Sequence, residues 1–233
     1  MDITVNPGRL SGTVAAPPSK SDLHRKCIAA AFCGDGAAVR AAALCDDTRA
    51  TLDCLAAMGF SVGFDGESVR IGRRDPSVRE ATLDCGESGS TARFLLPAAA
   101  YFLDCATLVG RGRLPARPFA ALTDALRANG TAVRGDFLPI AVSGGLHAGV
   151  YRMRGDVSSQ FFTGLLLALP ALGRESSVEL TTPLESAPYV ALTNAVLRAF
   201  GVEIEETPSG FRVPAGAAYR APAGLAAEGD WSS

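Results

Sequence analysis

The 233-residue sequence is poor in several residue types, and each scarcity limits what the protein can be. It has two histidines, one tryptophan and, among 22 basic residues, only two lysines, Lys20 and Lys26. With 24 acidic residues the formal net charge is −2, so a broad basic surface for nucleic acid is not expected. No apolar run reaches the ~18–20 residues of a membrane-spanning helix, and the first residues lack the pattern of a secretory signal. The sequence therefore predicts a soluble, cytoplasmic protein without a nucleic-acid or membrane partner.

The six cysteines do not indicate a metal or redox site, because they are scattered along the sequence and contain no Cys-x-x-Cys pair. Only His24 and His147 could supply imidazole ligands, and neither belongs to a cluster typical of a metal site. In a chain without a secretion signal, scattered thiols are most often small buried apolar residues. We therefore predict that the cysteines belong to the core and that no metal is bound.

Three segments of the sequence resemble one another at a fixed spacing. In each, apolar residues at helical spacing precede a glycine, and an alternating run typical of a strand follows. The glycines are Gly59, Gly130 and Gly201, each 71 residues from the next, and a glycine at this place is typical of a helix end. Two strands are predicted after each glycine, at 60–64 with 68–71, 132–134 with 140–143, and 202–206 with 210–213.

A second feature recurs in phase with the glycines. Short loops rich in hydroxyl groups begin at Ser19, Ser88 and Ser158, and each precedes an apolar stretch at helical spacing. Serine at such a place is a preferred N-terminal cap of a helix. The two features together predict an α/β domain with pseudo-threefold symmetry. A fourth loop of this kind begins at Ser232, where a helix should follow, and we therefore expect a truncated chain.

The predicted helix beginnings carry the residues that could bind a ligand. A helix N-terminus presents free N–H groups and partial positive charge, which favour anions. Lys20 and Arg25 lie near the first, Arg93 lies within the second, and Arg113 and Arg117 follow in the next loop. Helix capping alone would explain one such loop, but three in phase favour a substrate with phosphate and carboxylate groups. The glycine spacing of a P-loop or dinucleotide-binding motif is absent.

Other polar residues give weaker indications. His24 could act as a base near neutral pH, but beside Arg25 it is interpreted as a solvated loop residue. Asp84 and Glu87 have no evident partner that would define an acid–base pair. The role of Tyr189 stays open.

Six segments, taken in chain order, resemble one enzyme family. They are PPSKS at 17–21 with Arg25, GESGSTAR at 86–93, RP at 117–118, SSQF at 158–161, ESAPY at 185–189 and EGDWSS at 228–233. These segments are similar to those of the enolpyruvylshikimate-phosphate synthases. The family transfers the enolpyruvyl group of phosphoenolpyruvate to the 5-hydroxyl of shikimate 3-phosphate with release of phosphate, in the pathway to chorismate and the aromatic amino acids.

The resemblance implies an enolpyruvyl transferase-like fold of two lobes, each of three repeated βαβαββ-type units. It assigns residues 17–225 to the lobe that binds shikimate 3-phosphate, with repeats at about 17–85, 86–156 and 157–225. Residues 1–16 would form the first strand or strands of the other lobe, and 226–233 would cross back to it. Members are roughly twice as long as this chain, so the other lobe is the expected partner and the full-length protein an expected monomer.

The resemblance also implies which residues bind the substrates, with no metal and no cofactor. Lys20 would contact both substrates and be the catalytic residue in this part of the protein. The shikimate 3-phosphate set is Lys20, Ser21, Arg25, Ser158, Ser159, Gln160, Ser186 and Tyr189. The phosphoenolpyruvate set is Lys20, Gly89, Ser90, Arg117 and Gln160. Pro18, Glu87 and Ser90 depart from the usual Gly, Asn and Thr of the family, and Glu87 is expected to add negative charge near an anion site.

Two other interpretations remain open from the sequence. One is a UDP-N-acetylglucosamine enolpyruvyl transferase, whose cysteine nucleophile would be expected near residues 113–117, where this chain has none. The other is a non-catalytic lobe that binds phosphorylated cyclitols or associates with a separately encoded second half. Because the family's acid–base carboxylates would lie in the missing half, we expect the chain alone to be inactive.

Overall fold

The computed structural model describes residues 4, 8–9 and 11–230 of the chain. The helices in these residues are α1 (Lys20–Phe32), α2 (Asp46–Ala57), α3 (Gly89–Phe102), α4 (Ala120–Ala128), α5 (Ser159–Ala168) and α6 (Ala187–Ala199), with short 3₁₀ turns at Leu114–Ala116 and Leu169–Leu172. The strands are β1 (Ala37–Arg40), β2 (Phe60–Phe64), β3 (Ser68–Arg74), β4 (Glu80–Asp84), β5 (Cys105–Val109), β6 (Ala132–Arg134), β7 (Ile140–Ser143), β8 (Val150–Met153), β9 (Ser176–Leu180), β10 (Glu205–Thr207) and β11 (Gly210–Val213).

The first helix of each repeat begins where the serines predict. The hydroxyl groups of Ser19, Ser88 and Ser158 accept hydrogen bonds from backbone N–H groups in the first turns of α1, α3 and α5. These caps satisfy donors that have no partner within the helix. Serine capping therefore explains where the three helices start.

The three glycines end the second helices, as predicted. Gly59, Gly130 and Gly201 follow α2, α4 and α6 with φ angles of 95°, 92° and 76°. This left-handed region favours glycine, which has no Cβ to clash there. The chain then reverses into the two strands of each repeat, and this repeated α/β pattern confirms the predicted fold class.

Three sheets repeat one pattern of pairing. The sheets β4-β5-β7-β6 and β8-β9-β11-β10 each pair their first two strands in parallel and the others antiparallel. The sheet β1-β3-β2 has only three named strands, but a parallel bridge joins Arg40 to Ala226. There, the Arg40 N–H donates to Leu225 O at 2.9 Å and the Ala227 N–H donates to Arg40 O at 2.8 Å. The C-terminal residues thus occupy the first-strand position of the first sheet.

Helices α1, α3 and α5 contact one another in the interior and are buried over most of their length. The contact between α3 and α5 is close at Gly164, where a Cβ would overlap the carbonyl oxygen of Arg93. A residue without a side chain is needed at such a backbone contact. The interior packing brings the beginnings of these helices to the same end of the molecule.

Several predicted repeat boundaries and strand bounds differ in the structure. By sheet membership the second and third repeats begin at Glu80 and Val150, before the hydroxyl-rich loops, because β4 and β8 join the sheets of the units that follow. The last strand pair is shorter than predicted, since β10 covers only Glu205–Thr207. The strand or strands expected within residues 1–16 do not appear in residues 11–17, and most of residues 1–10 lie outside the described part of the chain. The loop expected at Ser232 also lies outside it.

The cysteine prediction is correct for four of the six residues. Cys27, Cys33, Cys54 and Cys85 are buried, Cys105 is partly buried and Cys45 is exposed. Cys45 is the residue immediately before α2 and lies at the surface, so it does not contribute to the core. Every helix in residues 4, 8–9 and 11–230 is too short or too polar to cross a bilayer.

Candidate functional site

A cavity of about 380 Å³ lies where α1, α3, α5 and α6 begin. All the site residues that the resemblance implies line it, except Gly89, and Phe94 and Val157 complete the wall. The lining residues are Lys20, Ser21, Arg25, Ser90, Phe94, Arg117, Val157, Ser158, Ser159, Gln160, Ser186 and Tyr189. Positions distant in sequence are therefore brought together at one end of the helices.

The cavity has an electrostatic preference for anions. The N-terminal turns of four helices present partial positive charge toward it, and Lys20, Arg25 and Arg117 add cationic side chains. Among the described residues, those that line it include no carboxylate and no imidazole. Hydroxyl, amide and cationic donors of this kind bind phosphates and carboxylates through charge-assisted hydrogen bonds.

Lys20 lies at the rim and is held by a carboxylate that sequence reasoning missed. Its Nζ donates to Asp47 Oδ2 at 2.9 Å, and its side chain is about half exposed. This hydrogen bond to the Asp47 carboxylate raises the pKa of Lys20, so the ammonium stays protonated at neutral pH. Asp47 is the first-turn residue of α2, and only the packing of α2 on α1 places it beside Lys20.

Arg25 is buried and is held by neutral acceptors. Its Nε donates to Thr193 Oγ1 at 2.8 Å, and Nη1 donates to the carbonyl oxygen of Ser21 at 2.6 Å. No described acidic side chain forms an ion pair with it within 4.0 Å, and its guanidinium lies 4.9 Å from the Phe94 ring centroid. Burial lowers the pKa of Arg25 to about 10, so it remains charged at neutral pH. The wall of the cavity thus contains a cation whose charge is not neutralised by a carboxylate.

A second arginine supports the cavity behind Gln160. Arg93 donates from Nη1 to Gln160 Oε1 at 2.7 Å, and Gln160 donates from Nε2 to Ser90 Oγ at 3.0 Å. Burial, with the nearby charge of Arg117, lowers the pKa of Arg93 to about 10. At Gly89 a Cβ would lie 2.5 Å from Arg117 Nη1 and 2.8 Å from Arg93 Nη1. Glycine at this position therefore leaves room for both guanidinium groups.

Ser186 and Tyr189 form the side of the cavity at α6. Ser186 precedes the helix with a φ of 61° and makes no side-chain capping bond, so its hydroxyl is not used by the helix. Among residues 4, 8–9 and 11–230 it is the single non-glycine residue with a positive φ. Such strained backbone is found at functional sites more often than elsewhere. Tyr189 is in the first turn of α6 and is 49% exposed, which leaves its ring accessible.

His24 is the clearest error of the sequence interpretation. It is buried within α1 instead of solvated in a loop, and its Nδ1 lies 2.7 Å from Thr51 Oγ1. Burial lowers the pKa of His24 to about 3, which keeps the imidazole neutral. The helix turns its side chain toward α2 and away from the cavity, so His24 is not positioned as a base.

The remaining candidates also lie outside the cavity lining. Asp84 does have a partner, since Arg111 Nη1 is 3.7 Å from its Oδ2. Glu87 is exposed and its carboxylate lies against Gly112, so the expected negative charge is not part of the cavity wall. Arg113 is exposed and does not reach it either. All three side chains are exposed: Asp84 and Glu87 precede α3, and Arg113 follows β5.

The chain is similar in sequence to a known protein family. The family model described as EPSP synthase (3-phosphoshikimate 1-carboxyvinyltransferase) matches residues 5–233. A 3-phosphoshikimate 1-carboxyvinyltransferase of Halobacterium salinarum is 42% identical over 241 residues, covering 100% of this chain and 56% of the relative. The chain spans about half the length of the curated relatives it matches.

Solved structures give the same fold. An EPSP synthase from Acinetobacter baumannii superposes with a TM-score of 0.76 at 24% identity, covering 91% of this chain and 49% of the other. The enolpyruvyl transferase NikO from Streptomyces tendae superposes with a TM-score of 0.65 at 18% identity, covering 95% of this chain and 53% of the other. At these identities the superpositions are evidence for the fold.

Proposed function

The chain belongs to the EPSP synthase family, and from that membership we propose that it carries the shikimate 3-phosphate-binding half of a 3-phosphoshikimate 1-carboxyvinyltransferase. The observation that carries the proposal is the meeting of the family's motif residues around one anion-attracting cavity. In this proposal, residues 17–225 form the binding lobe, 1–16 begin the other lobe and 226–233 lead back to it.

The hydroxyl groups of Ser158, Ser159 and Ser186 are proposed to bind the 3-phosphate. Ser158 and Ser159 begin α5, where free backbone N–H groups and the helix dipole favour a phosphate. Ser186 lines the same cavity from the beginning of α6, with its hydroxyl free of a capping bond. A phosphate offers enough acceptor oxygens to use all three donors.

The other lining residues divide between the shikimate ring and phosphoenolpyruvate. Ser21 and Arg25 are proposed to hold the ring and its carboxylate, with the exposed face of Tyr189 packed against the ring. The second set, proposed for phosphoenolpyruvate, is Gly89, Ser90, Arg117 and Gln160, and Gln160 is proposed to contact shikimate 3-phosphate as well. Lys20, at the rim between them, is proposed to contact both substrates as the catalytic cation.

Calorimetric titration of the purified chain with shikimate 3-phosphate tests this proposal. The Ser158→Ala plus Ser159→Ala variant should bind at least ~10-fold more weakly, because each hydroxyl lost from a charged phosphate removes a charge-assisted hydrogen bond. The matched control, Ser61→Ala plus Ser209→Ala, changes two exposed serines away from the cavity and should bind like the unmodified chain. Absence of binding to the unmodified chain, or tight binding of UDP-N-acetylglucosamine in its place, would reject the proposal.

The reaction requires more than this cavity contains. Transfer of the enolpyruvyl group needs a proton for the vinyl carbon and a base for the attacking hydroxyl. The lining supplies cations, hydroxyls and one phenol, so we propose that turnover depends on the half that this chain's relatives possess in addition. That half is the proposed partner, and the two lobes together are proposed to act as a monomer.

A further inference from the structure

Arg93, Gln160 and Ser90 form a chain of hydrogen bonds that ends at the cavity. Arg93 Nη1 lies 2.7 Å from the Gln160 side-chain oxygen, and Gln160 Nε2 lies 3.0 Å from Ser90 Oγ. Gln160 and Ser90 line the cavity, whereas Arg93 stands behind them and is only 4% exposed.

The chemistry of the guanidinium determines the direction of this chain. A guanidinium has N–H donors and no acceptor, so the Gln160 atom that faces Arg93 must be the amide oxygen. The Gln160 NH₂ group therefore faces Ser90 and the cavity, and donates one hydrogen to Ser90 Oγ. Because Ser90 accepts that hydrogen, its own O–H is free to donate into the cavity.

We propose that Arg93 is a positioning residue that orients Gln160 and Ser90 so that both present hydrogen-bond donors to the cavity. The subsite then selects groups that only accept hydrogen bonds, namely ionised carboxylate and phosphate. This inference rests on the proposed function for the identity of the anion, but the orientation of the amide can be tested without it.

The surroundings of Arg93 hold it in place for this role. Its guanidinium lies 4.9 Å from the Phe119 ring centroid and 5.1 Å from that of Phe161, and Nη2 lies 3.5 Å from the carbonyl oxygen of Pro118. Two aromatic faces restrict a planar guanidinium more than they restrict a flexible ammonium. The rotamer is therefore determined by packing between α3, α4 and α5 before any ligand arrives.

The positive charge of Arg93 also affects the cavity, through its hydrogen bond to Gln160. No described carboxylate lies within 4.0 Å of this guanidinium, and its Nε is buried without a hydrogen-bond partner. A positive donor at the start polarises the Gln160 amide and strengthens the donors beyond it. An anion at Ser90 or Gln160 therefore interacts with Arg93 without touching it.

A double-mutant cycle with shikimate 3-phosphate measures this coupling. Arg93→Met and Gln160→Met should each weaken binding by about 10-fold, and the double variant should be little weaker than either one. Arg93→Met combined with Ser186→Ala is the matched control, in which the two losses should multiply because Ser186 precedes α6 and is not part of the Arg93–Gln160–Ser90 hydrogen bonds. Multiplying losses for Arg93 and Gln160, or unchanged binding in Arg93→Met, would overturn the proposal.

A spectroscopic measurement separates positioning from a purely structural role. In the unmodified chain the two Gln160 side-chain amide protons should have well-separated NMR shifts and a response to added inorganic phosphate. Arg93→Met should abolish both, and Arg93→Lys, which keeps a donor, should retain them in part. If Arg93→Met fails to fold, the same measurement on Arg93→Lys tests the inference. In whichever variant is measured, Gln160 amide signals identical to those of the unmodified chain contradict the inference. If shikimate 3-phosphate does not bind the unmodified chain, the proposed function fails while the amide signals still decide the role of Arg93.

Discussion

At the scale of single residues, His24 is the start of a buried chain of hydroxyl groups. Thr51 Oγ1 lies 2.7 Å from both His24 Nδ1 and Thr91 Oγ1, and Thr91 donates onward to the carbonyl oxygen of Asp47 at 3.2 Å. Thr91 Oγ1 also lies 2.7 Å from Ser88 Oγ, so the chain of hydroxyl groups ends at the N-terminal cap of α3. The His24 Nε2 atom is buried without a hydrogen-bond partner.

This environment predicts a loss of stability in acid. The pKa of His24 is lowered by burial from 6.5 to about 3, so the folded state favours the neutral ring. Its contribution to stability is complete above pH 6.5 and decreases as the pH falls toward 3, by up to about 1.4 kcal/mol per pH unit. Urea unfolding between pH 7 and pH 4 should show a shallower decrease for His24→Gln than for the unmodified chain.

His147→Gln is the control for that measurement, because His147 is the other histidine and is exposed. It should keep the steep decrease of the unmodified chain. Equal slopes for the unmodified chain and His24→Gln would show that the ring is not held neutral by the fold.

At the scale of elements, α1 holds the C-terminal residues of the described chain through a buried ion pair. Lys26 Nζ donates to Asp22 Oδ2 at 2.6 Å and to the carbonyl oxygen of Ala226 at 2.8 Å. The Glu228 N–H donates to the same Asp22 oxygen at 2.8 Å, while the Ser19 N–H donates to the carbonyl oxygen of Glu228. The helix that carries Lys20 and Ser21 is thus connected to the segment that completes the first sheet.

Removing one member of this pair should be more harmful than removing both. Lys26→Met leaves the buried Asp22 carboxylate without its cation, and we expect a loss of about 3–5 kcal/mol in the free energy of unfolding. Asp22→Leu combined with Lys26→Met should recover part of that loss, since apolar replacements remove the buried charge as well. Urea unfolding measures both effects, and hydrogen exchange should rise at the Ala227 and Glu228 amides in Lys26→Met.

An exposed pair provides the comparison. Arg73→Met removes the contact to Asp35, in which both side chains are more than 80% exposed. The free energy of unfolding should change by less than about 1 kcal/mol. A similarly small effect of Lys26→Met, with unchanged exchange at residues 227–228, would contradict the proposed attachment of the C-terminal segment.

At the scale of the whole molecule, three repeats surround one set of central helices. Helix α2 contacts both α1 and α3, helix α6 contacts both α5 and α1, and Phe119, just before α4, lies between Arg93 of α3 and Phe161 of α5. This alternation of inner and outer helices leaves the inner N-termini facing the same end. The positive ends of the helices and the arginines accumulate there, which makes the cavity a property of the assembled repeats.

The composition of the cavity predicts that the chain alone has negligible turnover. With both substrates present, steady-state phosphate release should stay at background, because the lining, as far as residues 4, 8–9 and 11–230 form it, offers no carboxylate or imidazole for proton transfer. Addition of the second half of a relative as a separate polypeptide should restore release, and Lys20→Met should remain inactive under the same conditions. Phosphate release by the chain alone near the rate of a full-length relative would refute this prediction.

Local sequence features were sufficient for the repeat and the helix boundaries. Ser19, Ser88 and Ser158 cap the helices that follow them, and Gly59, Gly130 and Gly201 end others, because capping and a left-handed turn act within a few residues. The motif residues of the cavity could also be named from the sequence, and the fold does bring them together. Their roles toward substrate remain proposals.

Only tertiary structure decided the partners of those residues. Asp47 meets Lys20 and Thr51 meets His24 across 27 positions of sequence, and Arg93 meets Gln160 across 67. Burial of His24 and completion of the first sheet by residues 225–227 likewise depend on how distant elements pack. Local propensity contains no information about such contacts, whereas dense packing of the interior permits few arrangements of the repeats and so determines them.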